Sequence, residues 1–564
     1  MNASKLPFVD AIRRTYGSPR ALAETKRAAE AGDALAQFRL ACVLMGEGDI
    51  RGGTRWLKQA VAQEVAEAQT MWGLVKFAGD GTPEDKAAGL SLLHKAAAKG
   101  EPEAKFWLGS VLLEGDDPAV GPKLIQEAAT LGHAKAQALV GAWHIDGDRL
   151  PQDPAAGAGW LEKAAAQGHA AAQLALARML VQGAGVAPDL PRALHWFEQA
   201  ADQGSADAQA TLGHAYRVGL GVTPDPRAAR RWYQKAANLG QPEAIGWLGW
   251  AYYQGEGVQA DKPKGLQLLR QAADAGHTES RFILAMILQD DGTAVDAPEA
   301  RRLLELAADA NHVPAAFYLS KVVDDPARAA ELRLRAAEAG LVDAQKAMAV
   351  AAADEATAVT WWERAALQGD AEAQYRLAAL LFEGDGVARD EARALPWLQR
   401  AAEHGYADAQ EALRIAYTQG RGVAEDPEAA VAWARKAADQ GVRAAAYFLG
   451  VCYRDGYGVP KDEALAARWY GRAAEAGYPD ALLAAAIAHH DGAGVPKNLE
   501  LARRYARGAA EAGLASAQFF SAMLLLEGPA EGQQEGLDWL ARAAEQGYPR
   551  AVALLAELQK RSPT

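Results

Sequence analysis

The sequence predicts an all-α array of stacked helix pairs, and three observations carry that expectation. A glycine closing a short alanine-rich phrase, as in KAANLG at 235–240, recurs at Gly132, Gly168, Gly204, Gly240 and Gly276, 36 residues apart each time. The same spacing returns at Gly369, Gly405, Gly441, Gly477 and Gly513. Between these markers the apolar residues follow a 3.6-residue period rather than strand alternation. A Gly-x-Gly turn splits most intervals in two. A helix pair of this size cannot bury its own apolar face and must stack on neighbours.

Taken in chain order, residues 1–32 read as a lead-in and cap, the first twenty of them irregular. An N-terminal repeat array follows over 33–310, where Gly32 and Gly100 mark the phase and Val65 stands at the degenerate point between them. Over 311–369 the markers are Asn311 and Gly340, and two intervals shorten to 29 residues. Asparagine tolerates the left-handed helix-ending conformation better than other non-glycine residues. This segment reads as a hinge or a tighter bend. A C-terminal array covers 370–548, and 549–564 reads as a terminal capping helix and tail. There Glu557, Gln559, Lys560 and Arg561 would supply the polar outer face that a terminal repeat needs. Roughly fifteen or sixteen units fit the chain.

The 204–240 interval shows how one unit is built. Ala208, Leu212, Ala215 and Tyr216 share a face of the first helix, with the small Gly213 beside them for close helix approach. Gly219 ends that helix and Gly221 supplies a second turn residue. Asp225 is placed as N-cap and Pro226 in the first turn of the second helix, which offers Ala229, Trp232, Tyr233, Ala236 and Ala237. Trp160, Trp196, Trp232, Trp397, Trp433 and Trp469 share one phase, which places them in the core between repeats.

Composition excludes several function classes. A formal net charge of -13 with dispersed basic residues disfavours broad attraction to nucleic acid or anionic membranes. Two cysteines, Cys42 and Cys452, make neither a disulfide framework nor a zinc-ligand pair. Asp10, Arg13 and Arg14 interrupt the start too early for a secretory signal, and no apolar run reaches membrane-spanning length. The expected location is cytoplasmic; the alternative is periplasmic or secreted, if a leader is absent from this chain.

Catalytic motifs are equally sparse. The stretch GLGVTPDPRAARRWYQKAANLG from Gly219 to Gly240 resembles a phosphate-cradling loop entering a helix, but such a loop follows a buried strand and no strand pattern precedes it. His489, His490 and Asp491 do not have metal-ligand spacing, and no serine sits in Gly-x-Ser-x-Gly. No catalytic, cofactor-binding or metal-ligating residue is nominated, and the chain is expected not to be an enzyme. The alternative from that class is a hydrolase using carboxylates in a groove.

The phrases AQATLGHAYRVGLGVTPDPRAARRWYQKAANLG and AAYFLGVCYRDGYGVPKDEALAARWYGRAAEAG resemble the Sel1-like repeat, a relative of the tetratricopeptide repeat. The resemblance runs from about Asp33 to Ala551, weakening in the first four units and over 311–369, where Gly-x-Gly is lost. It implies a right-handed superhelical solenoid of stacked antiparallel helix pairs. It also implies a non-enzymatic adaptor or scaffold, in bacterial signalling, secretion or toxin immunity, that binds a protein or extended peptide in its concave groove. In tetratricopeptide-like arrays the first helix of each pair lines that groove. Trp107, Trp247 and Trp250 fall in first helices where other units carry threonine, alanine, arginine or histidine, and Tyr253 continues the stripe. These aromatics are the candidate anchors, with Arg178, His214 and Arg217 as flanking polar contacts. Sugar stacking on the same tryptophans is a further alternative.

Overall fold

The structure, a computed structural model, describes residues 7–78, 86–113, 119–290 and 297–561. Among the described residues the regular elements are helices and no strand is present. They form two compact units, Met1–Leu303 and Leu304–Thr564. Within each, antiparallel helix pairs succeed one another, most helices being 13 residues long, as in Ala206–Val218 with Pro226–Asn238.

Local chemistry sets these limits. The Ser205 hydroxyl accepts the N–H of Ala208 at 3.3 Å and starts the first helix. Gly219 ends it in the left-handed region, φ 82°, with its N–H donating to the Ala215 carbonyl. Asp225 then accepts from the amides of Arg227 and Ala228, and Pro226 occupies the first turn, where its missing N–H costs nothing. The Asp225 amide also donates back to the Tyr216 carbonyl at 2.8 Å, which closes the connection. Gly221, φ 72°, lies against the first turn of the preceding second helix; a Cβ there would come within 2.9 Å of the Leu190 Cβ. The glycine-rich stretch is therefore a helix-to-helix turn and a repeat-to-repeat contact.

The core lies one residue beyond the periodic tryptophans. Tyr233 is 1% exposed, and Leu161, Phe197, Leu269, Leu398 and Tyr470 at the same register are also buried. Trp160, Trp196, Trp232, Trp397, Trp433 and Trp469 are only half-buried, which corrects their placement in the core proper. One side of Trp232 packs on the apolar cluster of the preceding pair, while Lys235 Nζ lies 3.9 Å from its ring centroid. Lys163 on Trp160, Arg400 on Trp397, Lys436 on Trp433 and Arg472 on Trp469 repeat the arrangement, because residues three apart share a helix face.

A row of buried glutamines joins successive pairs. Gln173 Nε2 donates to the Ala165 carbonyl at 3.1 Å, and its Oε1 accepts from Gln203 Nε2 of the following helix at 2.8 Å. Gln137 with Gln167, Gln410 with Gln440 and Gln518 with Gln546 do the same. Gln209 keeps its bond to the Ala201 carbonyl, but position 239 is leucine, and Gln209 Oε1 is buried without a hydrogen bond.

Departures from the pattern are specific. Helix Pro7–Tyr16 lies in the first twenty residues, expected to be irregular, and helix Pro19–Glu30, capped by Ser18, follows it. At the degenerate phase point between Gly32 and Gly100 the left-handed residue is Glu64, φ 62°, rather than Val65. Asn311 takes φ 62° as its chemistry allows. The 29-residue intervals lose their length from the first helices and turns: Val313–Leu319 has 7 residues and Val342–Val350 has 9, while Pro326–Glu338 and Glu355–Leu367 keep 13. The terminal helix runs Pro549–Arg561; the predicted tail at 562–564 and the side chains of Gln559, Lys560 and Arg561 lie outside the described residues.

Candidate protein-binding face

In the N-terminal unit, Arg178, His214 and Trp250 stand at one register of three successive first helices, and Arg217 and Tyr253 stand one turn further on. Helices Ala206–Val218 and Pro242–Gln254 bring four of these residues, with Trp247, into three contacts. The Arg217 guanidinium lies over the Trp247 ring, 4.0 Å from its centroid. Its Nη2 is 3.3 Å from His214 Nδ1. A guanidinium can only donate, so His214 presents a bare Nδ1 there and is neutral. Burial and then the Arg217 charge hold the His214 imidazole below its ordinary pKa, with Glu243 opposing them.

Among the described residues Arg217 forms no ion pair, and its Nε is buried without a hydrogen bond. Beneath it sits the Tyr233 phenol, pushed up to about 12 by burial against the lowering effect of Arg217. A half-buried cation stacked on tryptophan without a carboxylate retains unused donors toward an acidic ligand group. Trp250 and Tyr253 form the adjacent pair, with ring centroids 6.0 Å apart and planes 17° from parallel. Lys262 Nζ stands 5.3 Å from the Tyr253 ring. Trp247, Trp250 and Tyr253 are all half-buried.

The other two candidates stand apart. Arg178 is exposed and pairs with Asp207 at 3.5 Å. Trp107 is held within its own neighbourhood: Nε1 donates to Glu103 at 2.9 Å, Phe106 meets it edge-on, and Lys135 lies 5.8 Å from the ring. One face of Trp247 is covered by guanidinium.

Sequence reading missed the polar cluster around Trp107. Glu103 pairs with His133 Nε2 at 2.8 Å. Burial raises the Glu103 carboxyl, but His133, Trp107 and Lys135 bring it net below its usual range. Glu101 is raised, mainly by burial, while it caps helix Pro102–Leu113 through the Ala104 amide and accepts from Thr70 at 2.9 Å. With Glu67 these residues line a cavity of about 150 Å³. A hydrolase would need such a carboxylate pair, but both Glu101 and Glu103 are engaged structurally.

Among the described residues no group of three or more His, Cys, Asp or Glu is placed to hold a metal ion. Cys42 and Cys452 are buried, and burial pushes both thiols up to about 12. No described helix is long and apolar enough to cross a membrane.

The Sel1 repeat matches this chain in thirteen segments running through 34–64, 66–101, 134–312, 350–406 and 408–548. No curated protein matches it. Among solved structures it is similar to a protective antigen present in uropathogenic Escherichia coli strains, which displays an SLR fold. That likeness has 29% identity over 84% of this chain and 98% of the other, with a TM-score of 0.51. A Sel1 repeat protein from Oxalobacter formigenes is 27% identical over 65% of this chain and 89% of its own, with a TM-score of 0.29.

Proposed function

The chain belongs to the Sel1 repeat family, and on that premise we propose that it is a non-enzymatic adaptor that binds a protein or extended peptide across the first helices of its N-terminal unit. The Arg217–Trp247 stack carries this reading. It offers a large ring and unspent guanidinium donors on one half-buried surface, a combination enriched where interfaces concentrate their binding energy. Trp250 and Tyr253 extend the apolar contact along the same helix, and His214 fixes the guanidinium in place. The preferred segment carries an acidic side chain opposite Arg217 and an apolar one beside Trp250.

A displayed peptide library selected on the full chain tests the reading, with Trp247→Ala/Trp250→Ala as the comparison. The wild type should enrich acidic–apolar segments that the folded double variant fails to enrich. Equal enrichment by both proteins sinks the assignment to this face.

A further inference from the structure

The last complete repeat contains an opening that the repeats with a Gly-x-Gly turn close. Its connection, 527–532, replaces Gly-x-Gly-Val with a 3-10 turn at Ala530–Gly532. Elsewhere the second glycine of that turn lies against the start of the preceding second helix, as Gly458 does on Pro427 and Gly494 on Glu463. Here the start of helix Leu499–Glu511 stays exposed and borders a cleft of about 570 Å³. That volume falls within the range of small-molecule sites.

Three features of the cleft belong to a ligand site rather than to packing. Arg503, Arg504 and Arg507 lie on the face of the helix that borders it. Arg507 is paired with Glu535 at 2.9 Å, whereas among the described residues neither Arg503 nor Arg504 forms an ion pair. Arg503 reaches only the Leu524 carbonyl, at 3.4 Å. Glu500 is the one carboxylate on the lining, so cations outnumber it three to one. The helix N-terminus adds its own positive field at the same end.

The third feature is Ser521. It lines the cleft, is 4% exposed, and its hydroxyl has no hydrogen bond. Its register is filled by Leu212, Leu248, Leu377, Leu413 and Leu449 in other repeats. Replacing a core leucine with a buried, unpartnered hydroxyl costs stability unless something supplies the partner.

We propose that this cleft binds a phosphomonoester, with Arg503 and Arg504 holding the dianion, Ser521 donating to it or to its ester oxygen, and Trp539 packing against the organic part. Carboxylates satisfy one bidentate arginine; two guanidiniums without a carboxylate partner in the second turn of the helix suit a dianion with three oxygens. The proposal stands independently of the N-terminal face, since it uses no residue there.

Calorimetric titration of the full chain in phosphate-free buffer tests it, with inorganic phosphate, O-phosphoserine and a phosphoserine peptide as probes and chloride at matched ionic strength as control. Phosphate-class probes should bind and raise the melting temperature where chloride does not. Arg503→Gln/Arg504→Gln should weaken them by about tenfold or more. Ser521→Leu, which restores the usual core residue, should abolish binding while raising the melting temperature of the free chain. Tighter binding of the peptide than of O-phosphoserine identifies a partner's side chain as the source, and equal binding identifies a small phosphoester. A wild type indifferent to phosphate, or a folded Ser521→Leu variant that binds it as well as the wild type, overturns the proposal.

Discussion

A methyl group added at Gly213 would lie 2.6 Å from Tyr233 Cδ1, so this glycine and the tyrosine of the facing helix form one packing unit. Gly213→Ala gains helix propensity of about 1 kcal/mol but forces the ring aside, a strain of roughly 1–3 kcal/mol. The expected result is a net loss, relieved when Tyr233→Leu is added. A double-mutant cycle in urea, read by hydrogen exchange over 206–238, should give coupling of about 1 kcal/mol or more. Additive effects would show that the two residues do not share the space.

Leu239→Gln should stabilise the protein. Leu239 is 57% exposed, and the glutamine found at its register in the two preceding repeats, Gln167 and Gln203, would donate to the orphaned Gln209 Oε1. The gain should be about 0.5–1.5 kcal/mol, seen as slower amide exchange in helices Ala206–Val218 and Pro226–Asn238. An unchanged exchange rate would mean that solvent already satisfies this oxygen.

Tyr233→Ala and Trp232→Ala separate core from surface in adjacent residues. Tyr233 is fully enclosed, so its truncation should cost about 3–5 kcal/mol locally. Trp232 loses one packed side and its contact with Lys235, and a smaller cost of roughly 1–2 kcal/mol is expected. Equal losses in urea unfolding would return Trp232 to the core.

These residues show what the sequence discloses and where it stops. Periodicity located the helix pairs, Asp225, Pro226 and Gly219 located their ends, and Asn311 marked a left-handed residue. Identity at a fixed phase did not give burial: Trp232 and Tyr233 are neighbours in one helix, and 100° of helix rotation decides which is enclosed. The glutamine row was legible as a recurring Ala-Gln pair, but its partners lie 30 residues away. At the candidate face, the aromatic departures from the repeat were visible in Trp247, Trp250 and Tyr253. The stacking of Arg217 on Trp247 was not, because it joins different positions of adjacent units.

Stability should fall as pH drops below about 6.5. Burial holds His169, His214 and His277 below the ordinary imidazole pKa. The unfolded chain therefore takes up protons at higher pH than the folded one, and stability is complete above the unfolded value and declines as pH falls through it. His169 adds a geometric reason, since its Nδ1 accepts the Ala172 amide at 3.2 Å and caps helix Ala170–Gln182. A protonated imidazole cannot accept that bond. His169→Asn keeps a capping oxygen without a titrating group. Urea midpoints at pH 7.5 and 5.5 should differ for the wild type, and the difference should shrink in His169→Asn. A variant with the full wild-type difference would exclude His169 as a source of the pH dependence.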